Sequence, residues 1–302
     1  MNKIALLIPC LNEEVTVAKV INDFRDQLSN LDIYVIDNGS SDDTAVLALK
    51  EGAKVISEPK RGKGNAVRRA FADITADIYI LVDGDGTYEA ASVNKMVEHL
   101  VEEHLDMVVG VRAYEDKIIY RKGHKLGNMF FNYLFRYVFG NHFTDIFSGY
   151  RVFTRRFVKS FPAISYGFEI ETELSVHTVN LRLRAQEVGT KYKMRPLGSQ
   201  SKLRTLKDGF KILKAFVNLL RLNKPMIFYT FFSLVFLIGS SSLGVPVLLK
   251  YLEIGLVPRF PSLIVSVGFF VISVLLLITG IILQTMLAFQ IENRRLAFLA
   301  VK

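Results

Sequence analysis

The chain has 302 residues, 50% of them hydrophobic, a single cysteine and a formal net charge of +9. That length supports one full domain with an appendage, and the lone Cys10 excludes a disulfide-stapled module. The basic residues crowd the borders of two long uncharged runs near the C-terminus, where anionic lipid accounts for them, so no nucleic-acid partner is expected.

Up to about residue 110 the chain alternates strand and helix patterns. Ile4 to Ile8 is a continuous apolar run, as in a strand covered on both faces. Because Lys3 to Pro9 reads as a strand and acidic residues follow, no N-terminal signal peptide is expected. Asn12 is placed to cap the next helix, with Glu13 and Glu14 at its positive end, and Val17, Val20, Ile21, Phe24 and Leu28 recur at helical spacing. A strand over Ile33 to Ile36 runs into the turn Asp37 to Thr44, which opens another helix. A short strand near Lys54 to Ser57 precedes Arg61-Gly62-Lys63-Gly64-Asn65-Ala66 and a helix to about Ala76. An apolar strand then ends in Asp83-Gly84-Asp85-Gly86, followed by a helix near Ala90 to His104 and a strand at Met107 to Val111. This order predicts an α/β domain with a mainly parallel sheet, whose ligands bind beyond the carboxyl ends of the strands.

From Arg121 to about residue 139 apolar and basic residues combine at helical spacing, which fits either a core helix or one lying in a membrane interface. Phe168 to Leu181 is a predicted helix, with Glu169, Glu171 and Glu173 read as surface residues that compensate the helix dipole. Residues 206–224 form a basic amphipathic stretch. Met226 to Leu249 and Phe260 to Ile291 each exceed the roughly 20 residues that cross a bilayer. Lys202, Arg204, Lys207, Lys211, Lys214, Arg221 and Lys224 before the first run, and Arg294, Arg295 and Lys302 after the second, place both termini in the cytoplasm by the positive-inside rule. The expected organisation is a cytoplasmic catalytic domain over 1–205, a juxtamembrane helix over 206–224, a two-helix membrane region over 225–291 and a cytoplasmic tail over 292–302.

Two carboxylates held apart by one glycine at the end of a buried strand can ligate a hard divalent cation, and the flanking glycines let a diphosphate approach the backbone. Familiar alternatives fail on their residues. Gly62-Lys63-Gly64-Asn65-Ala66-Val67 lacks the third small residue of a dinucleotide fingerprint and is not a Walker loop. Asp83 to Tyr88 begins like a calcium loop, but Tyr88 stands where that loop needs glycine and Asn94 where it needs glutamate.

The ordered set Ile8-Pro9-Cys10-Leu11-Asn12-Glu13-Glu14, Asp37 to Thr44, Arg61 to Ala66 and Asp83 to Gly86 resembles the family 2 glycosyltransferases of GT-A fold. Asp145-Ile146-Phe147-Ser148-Gly149-Tyr150-Arg151, Arg195 to Lys202 and the two C-terminal runs narrow the resemblance to the polyprenyl-phosphate glycosyltransferases, the dolichol-phosphate-mannose-synthase-like group. The implied fold is a Rossmann-like GT-A domain followed by amphipathic interface helices and two transmembrane helices. The resemblance implies that Pro9, Asn12, Glu13, Asp37 and Lys63 line the nucleotide pocket, that Asp83 contacts the nucleotide, and that Asp85, with Asp83, holds Mg²⁺ or Mn²⁺. It implies phosphate or acceptor contacts for Arg112, Arg121, Lys125, Ser148, Arg195 and Lys202, and a place near the reacting centre for Asp145, as base or as positioning group. Arginine forks suit this task because two phosphorylated substrates must be brought together against their repulsion.

The implied reaction is inverting transfer from a nucleotide-diphosphate sugar to a polyprenyl phosphate, undecaprenyl or dolichyl, at a membrane, the bacterial inner membrane being the expected one. UDP-glucose and UDP-N-acetylglucosamine are the favoured donors, with GDP-mannose the alternative, and a homo-oligomer is an allowed arrangement. A processive polysaccharide synthase would carry a Gln-x-x-Arg-Trp motif, and the chain has no tryptophan. A non-catalytic nucleotide-sugar sensor is the rival of another class.

Overall fold

The computed structural model describes residues 2–114, 122–140, 142–167, 169–196 and 217–301, with backbone only for residues 114 and 122–128. Two compact units result: Met1–Gly209 together with Asn293–Lys302, and Phe210–Glu292.

In the first unit, β1 (Ile4–Cys10), α1 (Val17–Arg25), β2 (Leu31–Asp37), α2 (Thr44–Lys50), β3 (Lys54–Ser57), α3 (Lys63–Asp73) and β4 (Ile78–Leu81) succeed one another as the sequence predicts. They are followed by α4 (Ser92–Glu102), β5 (Met107–Tyr114), α5 (Lys122–Phe139), β6 (Arg151–Thr154), α6 (Arg155–Ser160), α7 (Ile170–Leu181) and β7 (Ala185–Tyr192). The strands make one sheet of seven, in the order β3-β2-β1-β4-β6-β5-β7. It is mainly parallel, and β6 alone runs antiparallel to both its neighbours, β4 and β5. Successive strand residues serve opposite faces. Ala5 and Leu7 join α3, α5, α6 and α7 in one apolar layer, while Leu6 and Ile8 join α1, α2 and α4 in the other. The chain order reverses between β1 and β4, which opens a crevice at the carboxyl ends of these strands.

Two expectations are corrected here. Asn12 does not cap α1, which starts at Val17; it lies in the left-handed region at φ 52° and bonds the β2–α2 turn. Glu13 and Glu14 likewise sit before the first helical turn, where no acidic residue is found. Glu171 and Glu173, read as surface residues, are both buried.

At the opposite rim of the sheet, Asn293–Lys302 packs on the same unit. There the Arg156 guanidinium lies 4.8 Å from the Phe298 ring centre and pairs with Asp106 at 2.6 Å.

In the second unit, α8 (Pro225–Ile254) and the part of α9 (Phe260–Ala300) before Asn293 are long and apolar enough to cross a membrane. They pair through reciprocal serine contacts. Ser233 Oγ donates to Ser273 O and Ser273 Oγ to Ser233 O, both at 2.9 Å. Ser240 and Ser266 repeat the exchange at 2.8 and 2.9 Å. Each partner is one heptad from the next, so both pairs fall on one seam.

Candidate active site

The crevice is built from loops that follow β1, β2 and β4. Pro9 lies near the end of β1, beyond the last β4 pairing at Leu7. Asn12 N–H donates to Ser40 Oγ at 2.9 Å, and Asn12 Oδ1 accepts from Ser41 N at 2.8 Å. Asp37 Oδ1 accepts from Ser40 N at 3.2 Å, and Glu13 N–H donates to Thr44 Oγ1 at 2.8 Å. Asn38 ties in the next loop, donating to the carbonyls of Glu58 and Lys60 and accepting from Gly62 N at 2.6 Å. Thr16 Oγ1 donates to Gly84 O at 2.6 Å, which joins the β1 loop to the acidic turn. A Cβ at Gly84 would stand 2.5 Å from Cys10 Sγ, so glycine is what lets the acidic turn close on β1.

Asp83 and Asp85 emerge from this turn with different partners. Lys63 Nζ contacts both Asp83 Oδ1 and Glu171 Oε1 in a nearly solvent-free position. Burial opposes the ammonium, but Asp83 and Glu171 outweigh it and push the Lys63 pKa up. Burial pushes the Glu171 carboxyl up as well, with the Lys63 ammonium pulling against it. Gly149 covers the pair, since a Cβ there would lie 2.6 Å from Asp83 Oδ2 and 2.9 Å from Lys63 Nζ. Asp85 is buried; its Oδ1 accepts from Thr87 N and Oγ1 at 3.1 and 2.6 Å, and its Oδ2 meets Arg195 Nη2 at 2.6 Å. Burial, and then the charge of Asp83, pushes the Asp85 carboxyl up, so this turn favours a positive neighbour.

A second acid–arginine pair stands on the other side. Arg112 grips Asp145 with a two-pronged contact, Nε to Oδ2 and Nη2 to Oδ1, both 2.7 Å. The Arg112 guanidinium also lies 5.7 Å from the Tyr192 ring centre. Glu187 fixes the backbone below, accepting from Thr144 N at 2.7 Å and Asp145 N at 3.2 Å. Ser148 Oγ donates to Gly110 O at 2.5 Å, so that hydroxyl braces the loop against β5. Arg151 is fully buried and donates to the carbonyls of Ile146 and Ser148, both at 3.0 Å, and to Ser175 Oγ. Burial lowers its pKa to about 10, a cost the three bonds offset by fixing the loop that carries Asp145.

The fold therefore gathers Pro9, Asn12, Glu13, Asp37, Lys63, Asp83, Asp85, Arg112, Asp145, Ser148 and Arg195 from separate strands onto one side of the sheet. Arg121 and Lys202 lie outside the described residues. Lys125 lies on α5, and its side chain is outside them too. Sequence reasoning missed Glu171, Glu187 and Arg151 as parts of this constellation. Only Arg151 carried a signal, its place directly after the Asp145 to Tyr150 stretch.

This α/β architecture, with paired carboxylates and arginines at the carboxyl rim, defines a GT-A-type transferase. The chain belongs to glycosyl transferase family 2, whose model matches residues 5–161. Glycosyltransferase AglJ of Haloferax volcanii is 36% identical over 250 residues, covering 82% of this chain and 81% of that protein. Protein RfbJ of Shigella flexneri is 54% identical over 123 residues, 40% of this chain and 95% of that one. Among solved structures, glucosyl-3-phosphoglycerate synthase from Mycobacterium tuberculosis, in complex with Mn²⁺, UDP and glucosyl-3-phosphoglycerate, aligns with a TM-score of 0.59 at 25% identity, over 72% of this chain and 79% of that one. The protein is a sugar-transferring enzyme.

Proposed function

We propose that this glycosyltransferase moves a sugar, with inversion, from a nucleotide-diphosphate sugar to a polyprenyl phosphate at a membrane surface. UDP-glucose and UDP-N-acetylglucosamine are the favoured donors and GDP-mannose the alternative. The observation that carries the reading is one rim holding Asp83 and Asp85 beside Arg195, and Asp145 beside Arg112, in a chain with two helices of membrane-crossing length. A lone phosphorylated substrate needs fewer positive groups than two that must meet.

The acidic turn fits a divalent cation. It offers two hard oxygen donors, and its buried Asp85 already takes a cation, the Arg195 guanidinium. No cluster of three or more acidic, His or Cys ligands occurs among the described residues. That suits Mg²⁺ or Mn²⁺ held by one or two carboxylates and completed by substrate phosphates. Asp85, with Asp83, would hold the ion, which supplies charge neutralisation at the departing diphosphate. The relative solved with Mn²⁺ and UDP supports a divalent cation beside the nucleotide.

In the transfer, an acceptor phosphate oxygen forms a bond to the anomeric carbon as the bond from that carbon to the diphosphate oxygen breaks. The bonding pair leaves with the nucleoside diphosphate. A phosphate monoester has a second pKa of about 6, so the attacking oxygen is largely ionised and needs no strong base. Arg195 exchanges Asp85 for donor phosphate, and Arg112, its Nε–Nη2 edge held and oriented by Asp145, turns the rest of its guanidinium toward acceptor phosphate. Asn12, Glu13 and Asp37 line the nucleotide pocket. Arg121, Lys125 and Lys202 are further proposed phosphate contacts, and both termini lie in the cytoplasm.

The apolar outer side of α5 supports a membrane acceptor. Phe131, Phe135 and Phe139 are buried, while Met129, Phe130, Tyr133 and Tyr137 are exposed, Tyr137 by 81%. An aromatic and thioether surface of this kind suits the interface between headgroups and acyl chains.

The test is incubation of purified enzyme with radiolabelled UDP- and GDP-sugars, polyprenyl phosphate and Mn²⁺. A lipid-linked product is expected from the wild type, and none from Asp85→Ala with an unchanged melting temperature. Normal turnover in Asp85→Ala overturns the metal site, and no lipid-linked product with any donor overturns the acceptor and favours the sensor reading.

A further inference from the structure

We propose that Glu171 is a positioning residue that shares the Lys63 ammonium with Asp83, so that the cluster of Lys63, Asp83 and Glu171 keeps a net negative charge toward the donor's cation. This rests on the reading of Asp83 and Asp85 as the groups that hold that cation.

Lys63 carries one positive charge between two carboxylates, Asp83 Oδ1 on one side and Glu171 Oε1 on the other. The Lys63 and Glu171 side chains are 9% and 4% exposed, so water screens neither. With both carboxylates present, the three groups retain one negative charge, and Asp83 shares its ammonium. With Glu171 neutral, Lys63 pairs with Asp83 alone and cancels the charge that a cation needs from it.

An ordinary structural role does not explain Glu171. A glutamate in the first turn of α7 serves the helix dipole from the surface, yet Glu171 is 3% exposed and its Oε2 has no hydrogen-bond partner among the described residues. The bracing role near this helix start belongs to Glu173, which accepts from Ile164 N at 2.9 Å and Ser165 N at 2.7 Å. That same Ser165–Tyr166 backbone lies so close to Gly62 and Gly64 that neither position has room for a Cβ. The start of α3 is thereby pinned, and Lys63 is held between the two acids. Glu171 thus stands one side chain away from a cation ligand, where partner substitutions lower metal affinity by about 10- to 100-fold.

The experiment measures binding of Mn²⁺ with UDP by electron paramagnetic resonance of the free ion, with thermal melts as a folding control. The proteins are wild type, Glu171→Gln, Lys63→Met, the double variant and Asp85→Asn. We expect Glu171→Gln to weaken Mn²⁺ binding by about tenfold. The double variant, which restores one negative charge beside the ion, is expected to recover most of that loss. Glu171→Ala, alone and with Lys63→Met, supplies a second neutral pair if Glu171→Gln does not fold. Wild-type binding by the neutral Glu171 variant overturns the proposal, and so does a double variant as weak as, or weaker than, the single. If Asp85→Asn binds Mn²⁺ as the wild type does, the underlying reading of the acidic turn fails instead.

Discussion

Asp145 illustrates how a side chain's partners decide its work. Both its oxygens are engaged by the Arg112 fork at 2.7 Å, and Phe147 N–H adds a contact to Oδ1 at 3.3 Å. A general base needs an oxygen free to take a proton, so the geometry favours positioning of Arg112. Asp145→Asn is expected to lower kcat/KM by about 100-fold, the scale of a misplaced group, with the shape of the pH–rate profile unchanged. Loss of one limb with residual activity would assign the base role instead. Gly149 makes a second residue-scale case. An alanine there must displace Asp83 or Lys63, whose side-chain ends lie 2.6 and 2.9 Å from the new Cβ, without disturbing the packed backbone. Gly149→Ala should raise the donor KM by about tenfold with a near-native melting temperature. A melting temperature that falls with activity would point to a packing role alone.

At the scale of elements, sequence periodicity places the two apolar helices but does not show what joins them. Within a bilayer, apolar side chains would give no preference for protein over lipid, so serine hydroxyls and close small-residue contacts would specify the pairing. Ser233 with Ser273 and Ser240 with Ser266 supply it, and Gly280 packs against Tyr229 with room for little more, 3.1 Å from a Cβ there to the tyrosine Cβ. Replacing Ser233 and Ser273 together by alanine should destabilise the hairpin by about 1 kcal/mol, read from unfolding in mixed detergent micelles. No change would mean that the seam is held by packing alone. The helix α5 shows the complementary case, where one helix keeps a phenylalanine row for the core and turns a second apolar row outward. The two sequence readings of this helix, core or interface, are therefore compatible.

At the scale of the whole molecule, the α7 helix links the site to the last residues of the chain. Glu171 faces Lys63 near its start, and His177 is buried further along between Phe157 and Phe161, with Arg294 adding an unfavourable charge. Burial, and then Arg294, lowers the His177 pKa from 6.5 to about 3. The folded value lies below the unfolded one, so the unfolded chain binds the extra proton between these limits and stability falls as pH drops through that window. Above it His177 is neutral in both states and contributes no slope. The steepest loss is about 1.4 kcal/mol per pH unit, and His177→Phe should flatten the acid limb of melting temperature against pH by that share. Parallel curves for the two proteins would reject His177 as the titrating group.

The sequence by itself determined the local elements from Ile4 to Val111, the acidic turn and the long C-terminal helices, because period, turn residues and uninterrupted apolar length are properties of neighbouring residues. The later strands β6 and β7 were not legible. Arg151–Thr154 is only four residues long, and Ala185–Tyr192 mixes charged and apolar side chains without clean alternation. Their pairing with β4 and β5 is a property of the assembled sheet. The same holds for the site. Asp83-Gly84-Asp85 was legible as an acidic turn, but acidic turns after strands are common, and only the ordered company of the other motifs pointed it toward a cation. Tertiary structure alone decided which cations face the two carboxylates now, Lys63 and Arg195, and brought Glu171 to Lys63 across 108 positions of chain. A buried charge is permitted only where the fold supplies its partner, and that partner has no fixed place in the sequence.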